Sequence, residues 1–138
     1  VVRPWRSDEL VIVASPGHSL AGRTATTRQL ASATWVLREP ASGTRQATDS
    51  WLLAHLHKLD VAFELGSTEA IKRLVAAGAG LGCLSRQAVA QALADGWLVE
   101  LKTRLPAARR RLAVVTHRHR ALGRATADFI AHCAADGG

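Results

Sequence analysis

The stretch from Glu64 to Ser85 constrains this chain more than any other, because it reads as a strand end, a loop, one amphipathic helix, a glycine stop and a second strand. Ser67 is a natural N-cap, since its hydroxyl can accept a hydrogen bond from an orphan N–H of the first helical turn. Glu69 lies in that turn, where a negative charge suits the helix dipole, and it precedes Lys72 and Arg73 by three and four residues. Ile71, Leu74 and Val75 form an apolar stripe at helical spacing. Gly78 can take the left-handed conformation that ends a helix. Leu81 to Leu84 is a short apolar run of the kind that forms a buried strand.

The rest of the chain repeats this alternation. Glu9 to Ala14 is a β-rich run closed by Ser15, Pro16 and Gly17, and Thr34 to Leu37 is a second strand. His18 to Ala25 reads as a connection, followed by a short helical turn capped at Thr26 or Thr27. A helix is expected from about Thr44 to Leu59, capped by Ser42 or Thr44, with Trp51, Leu52, His55, Leu56 and Leu59 on one face. Val61 to Leu65 is a third strand. Beyond Ser85 come a helix near Gln87 to Ala94, a short strand from Trp97 to Leu101, and a loop holding Pro106 and the arginine cluster. A strand from Leu112 to Thr116 and a last helix from Leu122 to Ala135 close the chain, the helix carrying Leu122, Ala125, Phe129, Ile130 and Cys133 on one face. Strands alternating with helices argue an α/β fold with mainly parallel pairing.

A length of 138 residues suits one domain or two small lobes. A content of 48% hydrophobic and 21% charged residues fits a globular chain, and no apolar run approaches the roughly 18 residues that span a bilayer. No membrane association is expected, and Val1 to Pro4 is no signal peptide. Cys83 and Cys133 are expected as small buried hydrophobes in a reducing, cytoplasmic setting. The net charge of +7 raises the question of nucleic acid. Arginine is spread along the chain, however, and its one tight cluster, Arg109, Arg110 and Arg111 beside Arg104, has no interleaved aromatics to stack on bases. A solvated basic surface is the expectation.

Several motifs reduce to ordinary structure. Gly78, Gly80 and Gly82 follow a helix and open a strand, the reverse of a dinucleotide fingerprint, so a helix cap and close strand packing explain them. His55 and His57 diverge on a helix, and His117 and His119 have no Cys, Asp or Glu beside them to complete a metal shell. Ser42 and Ser85 lack a nucleophile elbow. No metal, no cofactor and no enzymatic activity are expected. What remains is a pair of capped helix N-termini, each preceded by a strand: Ser42, Gly43, Thr44 and Arg45, and Gly66, Ser67 and Thr68. In an open α/β sheet both lie where ligands bind, and Gly43 lets backbone N–H groups come close to one. Their hydroxyls and N–H groups suit a carboxylate or other anion, with Arg45 or Arg38 adding a charged contact.

The run from Trp35 to Arg45, together with that from Glu64 to Arg86, resembles the effector-binding domain of LysR-type transcriptional regulators. Gly96 to Val99 and the closing strand and helix fit the same pattern. The resemblance implies an α/β, periplasmic-binding-protein-like (type II) fold of two lobes joined by crossing strands, with a small effector between them. Carried onto this sequence, residues 1–14 would be a hinge strand and remnant of the first lobe, 15–105 the complete second lobe, and 106–138 the return strand and C-terminal helix of the first lobe. The family's effector loop matches Ser42, Gly43, Thr44 and Arg45, and its second contact matches Ser67 and Thr68. Ala41 stands where a glycine is common, and Ala79 where a larger apolar residue is common. The implied partners are a small anionic metabolite and further copies of the chain. DNA would be bound only through a helix-turn-helix domain outside this sequence, which makes the chain a piece of a longer regulator. A solute-binding protein of the same two-lobed fold is the second expectation, and an enzyme on this fold the third.

Overall fold

A computed structural model describes residues 1–135. It divides the chain into two compact units, one of Glu9–Ala108, the other of Val1–Asp8 with the residues from Arg109 on.

In the larger unit the strands are β1 (Val2–Ala14, from Glu9 on), β2 (Thr24–Ala25), β3 (Thr34–Arg38), β4 (Asp60–Leu65), β5 (Leu81–Ser85), β6 (Val99–Glu100) and β7 (Lys102–Thr103). Four helices connect them: α1 (Thr27–Ala31), α2 (Gly43–Leu56), α3 (Thr68–Ala76) and α4 (Arg86–Ala94). The main sheet runs β4-β3-β5-β1-β6, and β2 pairs with β7 apart from it. β3 lies parallel to β4 and β5, as the helical crossovers require, whereas β1 runs antiparallel to β5 and β6. The sheet is therefore mixed rather than mainly parallel.

The central strands are buried on both faces, so alternation sorts their side chains into two cores. Leu10, Ile12, Trp35, Leu37, Leu81 and Cys83 meet Leu30, Leu52 and Leu56 of α1 and α2. Val11, Val13, Val36 and Leu84 meet Ile71, Val75, Val89 and Ala92 of α3 and α4. Each large side chain so buried contributes about 1.5–3 kcal/mol.

The glycines after α3 carry this packing. Gly78, at φ +88°, closes the helix with its N–H on the Val75 carbonyl while Ala79 N–H reaches Leu74, a double bond that only a left-handed residue permits. A Cβ on Gly80 would lie 2.5 Å from the Thr34 carbonyl oxygen, and one on Gly82 would press on Val75 and Val13. Both are packing glycines, as the order of helix and strand predicts.

The smaller unit holds the first half of β1, β8 (Ala108–Val115, from Arg109 on) and α5 (Arg124–Ala135), with β8 paired to β1. Several boundaries differ from expectation. Arg109, Arg110 and Arg111 lie in β8 and not in a loop, because the Arg110 Nε donates to Asp8 Oδ2 at 2.7 Å while its neighbours point outward. The strand expected from Trp97 shrinks to β6, since β7 departs to pair with β2. α2 stops at Leu56, where His57 turns left-handed at φ +64°. α5 begins at Arg124, not Leu122.

Candidate functional site

Parallel pairing places the C-terminal ends of β3, β4 and β5 at one edge of the larger unit's sheet, with Arg38 opposite Leu65. The antiparallel β1 brings Leu10 beside Ser85 at that same edge. Helices α2, α3 and α4 all open there, α2 and α3 capped by the side chains of Ser42 and Ser67 and α4 beginning after Ser85. The six residues singled out in the sequence are thus gathered at one edge by two consecutive strand-to-helix turns.

Ser42 is buried, and its Oγ accepts the backbone N–H groups of Thr44 at 3.1 Å and Arg45 at 3.3 Å. The exposed Ser67 does the same for Ala70 at 3.2 Å. Thr68 Oγ1 accepts from Arg38 Nη1 at 3.3 Å. In all three an internal donor uses the hydroxyl oxygen, so the hydroxyl proton is left to donate. The edge is an array of donors, suited to an acceptor-rich ligand. A Cβ on Gly43 would meet nothing within 4 Å, so open space lies over the start of α2.

Arg45 behaves differently from a free cation. Its Nε donates to Asp49 at 2.9 Å, and its Nη1 to the Arg38 carbonyl at 2.8 Å and to Glu64 at 3.1 Å. Burial, the largest single influence, disfavours its charge, but the bonds and charges of Asp49 and Glu64 outweigh it and raise its pKa. Arg45 fastens α2 to the ends of β3 and β4. Arg38 pairs with Glu39 through two bonds, Nε–Oε2 at 2.9 Å and Nη2–Oε1 at 3.1 Å. Its Nη1 bond to Thr68 ties the two capped loops together.

Sequence reading passed over Glu39 and a second cluster at this edge. Arg86, at the start of α4, grips Glu100 with two bonds, at 2.7 and 2.9 Å, and reaches Glu9 of β1 at 3.3 Å. The only local signal was a cation directly after a strand, as at Arg38. A hollow of about 530 Å³ lies in the same unit, lined among others by Glu9 and Glu100 of this cluster and by Leu10, Trp51, Lys102 and Arg104, and none of the six expected residues lines it. Among the described residues, no group of three His, Cys, Asp or Glu is placed to share a metal ion, and no helix is long and apolar enough to cross a membrane.

The LysR substrate binding domain model matches residues 1–137. The chain belongs to this family. It is 44% identical over 133 residues to the uncharacterized HTH-type transcriptional regulator YeiE of Escherichia coli K12, covering 96% of this chain and 45% of that protein. A RuBisCO operon transcriptional regulator of Allochromatium vinosum is 33% identical over 126 residues, 91% of this chain and 42% of the relative. This LysR domain therefore spans less than half the length of the curated relatives it matches. Among solved structures it resembles the Synechocystis PCC6803 CcmR regulatory domain in complex with 2-PG, with a TM-score of 0.86 and 30% identity over 99% of this chain and 66% of that one. The effector binding domain of QuiR in complex with shikimate, at 20% identity and a TM-score of 0.81, shares the fold over 99% of this chain and 65% of that one. The architecture is the α/β, periplasmic-binding-protein-like (type II) fold of LysR regulatory domains.

Proposed function

We propose that this LysR domain senses a small anionic metabolite and relays its presence to the DNA-binding part of a full-length transcriptional regulator. The metabolite lies at Ser42, Gly43, Thr44, Ser67 and Thr68, with Arg45 holding the first loop in shape. The observation that carries this reading is that two helix N-termini, with the Ser42, Ser67 and Thr68 hydroxyls, are gathered at one edge of the sheet. It is supported by 30% identity to a regulatory domain whose structure holds 2-PG. In this reading residues 15–105 are the second lobe of the complete effector domain, and residues 1–14 and 106–138 belong to the first lobe and its crossing strands. DNA is held by a helix-turn-helix in the full protein, which works in the cytoplasm as a homo-oligomer and catalyses no reaction. The regulator names of the relatives set the solute-binding alternative aside.

Calorimetric titration of the full-length regulator with 2-PG and with other small phosphates and carboxylates tests the proposal. Binding by at least one of these anions is expected, and it should weaken in both Thr44→Ala and Ser67→Ala. An anion that binds with unchanged affinity in both variants places the site elsewhere.

A further inference from the structure

At the candidate edge every nearby cation already has a carboxylate partner. Arg45 is held by Asp49 and Glu64, and Lys72 by Glu69 at 2.9 Å. Arg38 alone both touches the donor array, through Thr68, and depends on a partner from the ligand-facing loop, Glu39. That partner is the residue directly after β3, three before the Ser42 cap. Glu39 Oε2 lies 3.9 Å from where a Cβ on Gly66 would stand, directly before the Ser67 cap. Its backbone is pinned, since Glu39 N–H donates to the Leu65 carbonyl and the Glu39 carbonyl accepts from Ser42 N–H. The side chain has 39% of its surface exposed and is held by its two bonds to Arg38. A solvent-accessible carboxylate, bonded twice to the cation that joins the two capped loops, has the chemistry of the expected ligand.

Resting on the effector reading above, we propose that Glu39 is a built-in competing anion that a ligand must displace from Arg38 to occupy the edge. Glu39 thereby sets the selectivity of the site. A neutral hydrogen-bonding molecule cannot replace the carboxylate on Arg38, whereas a small molecule bearing one carboxylate or phosphate group can. When Glu39 swings out, Arg38 keeps its hold on Thr68, so the two loops stay joined while the ligand takes the vacated bonds.

The test uses inorganic sulfate as the probe, titrated by amide NMR at constant ionic strength, following the N–H signals of Gly43, Ser67 and Thr68. Glu39→Gln keeps the size and hydrogen-bonding capacity of the side chain and removes its charge. Relief of an exposed ion-pair competitor is expected to tighten sulfate binding about two- to fivefold. Glu39→Asp keeps the charge and should bind as weakly as the parent. Equal or weaker sulfate binding in Glu39→Gln overturns the proposal, as does the absence of shifts at these amides in either protein. Ser67→Ala separates the two layers of the argument. If Ser67→Ala loses the sulfate response while Glu39→Gln matches the parent, the site reading stands and the competing-anion idea fails. If Ser67→Ala titrates like the parent, the site reading itself has failed.

Discussion

The two units of this LysR domain use the same strands and helices and end with opposite surfaces. In Glu9–Ala108, β1, β3 and β5 are buried on both faces and each packed helix except the short α1 contributes at least two buried side chains. In the smaller unit α5 buries none of its residues fully, and β8 is at best half-buried along its length. Among the described residues, five of the seven large apolar side chains left exposed, Val1, Val2, Val115, Leu122 and Phe129, belong to that unit. The difference lies in how many layers each sheet segment has. A strand covered on both faces can be apolar at every position, whereas β8 alternates and leaves one face of the unit open. The larger unit closes its own core. The smaller one leaves an apolar helix face open; in the proposed reading the rest of the first lobe covers it in the full protein, and without that lobe the face is expected to draw copies of this segment together.

The largest effect should come from opening the closed core. Leu81→Ala removes a fully buried side chain beside Trp35 and should cost about 2–5 kcal/mol in urea denaturation of the larger unit. A loss below 1 kcal/mol would show that this core is looser than its burial implies.

Next comes the one polar feature that the open unit buries well. Asp8 is 3% exposed at its side chain and bonds Arg110, which is 26% exposed. Asp8→Ala strands part of that guanidinium, so a loss of about 1–3 kcal/mol is expected. Arg110→Ala removes an ion-pair partner from the more deeply buried Asp8 and should cost no less. A stability unchanged in both variants would mean that this unit tolerates the loss of its pair as a surface would.

How much of this was legible in the sequence follows the same division. Caps and apolar periodicity lie close together along the chain, so Ser42, Ser67, the stripe of α3 and the glycine stop at Gly78 were all readable. So was the edge that gathers the two capped loops, because parallel strands joined by helices leave no other place for them. The arginine cluster was misread because its partner, Asp8, lies 102 residues away in sequence, and only the pairing of β1 with β8 reveals it. Likewise β7 leaves the main sheet for β2, a choice that two-residue strands announce nowhere locally. The stripe of α5 was read at the right period, but Phe129 is 66% exposed while Ile130 and Cys133 are half-buried. Period alone does not fix which side of a helix has something to pack against. The bond from Arg45 to Glu64 was hidden because it joins two different elements, whereas Asp49 stands only four residues on in the same helix.

A smaller effect is expected at the ligand edge. Thr44→Ala removes a hydroxyl from the first capped turn and Ser67→Ala one from the donor array, and each should weaken an anionic effector by about 1 kcal/mol or more in calorimetry of the full-length regulator. In folding, Ser67→Ala also removes the cap of α3, so its stability should fall by about 1 kcal/mol. Smaller still for folding is Phe129→Ala, whose side chain is 66% exposed and should cost less than about 0.5 kcal/mol. Its effect belongs to association, and sedimentation should show a shift toward smaller species. A clean monomer of residues 1–138 alone at high concentration would break the idea that the uncovered face associates.

The smallest effect sharpens the comparison from the other side, at an ion pair that the closed unit keeps on its rim. The hydrogen bond from Arg38 is the main reason that the Glu39 carboxyl is held below its ordinary value, with its own backbone N–H and the Arg38 charge adding to it against a slight desolvation. A carboxyl with a lowered folded pKa stabilises the fold above its unfolded value, about 4.3, and loses that contribution as pH falls through the folded value. Both side chains are solvent-accessible, so water screens the pair and the change is too small for a melting curve. The carboxyl ¹³C shift of Glu39, followed by NMR as the solution is acidified, reads it directly. The midpoint should fall below that of an ordinary glutamate, and Arg38→Gln should bring it back. A normal midpoint in the parent protein would mean that Arg38 and Glu39 are apart in solution, which would leave Arg38 unopposed and the competing-anion idea without its anion.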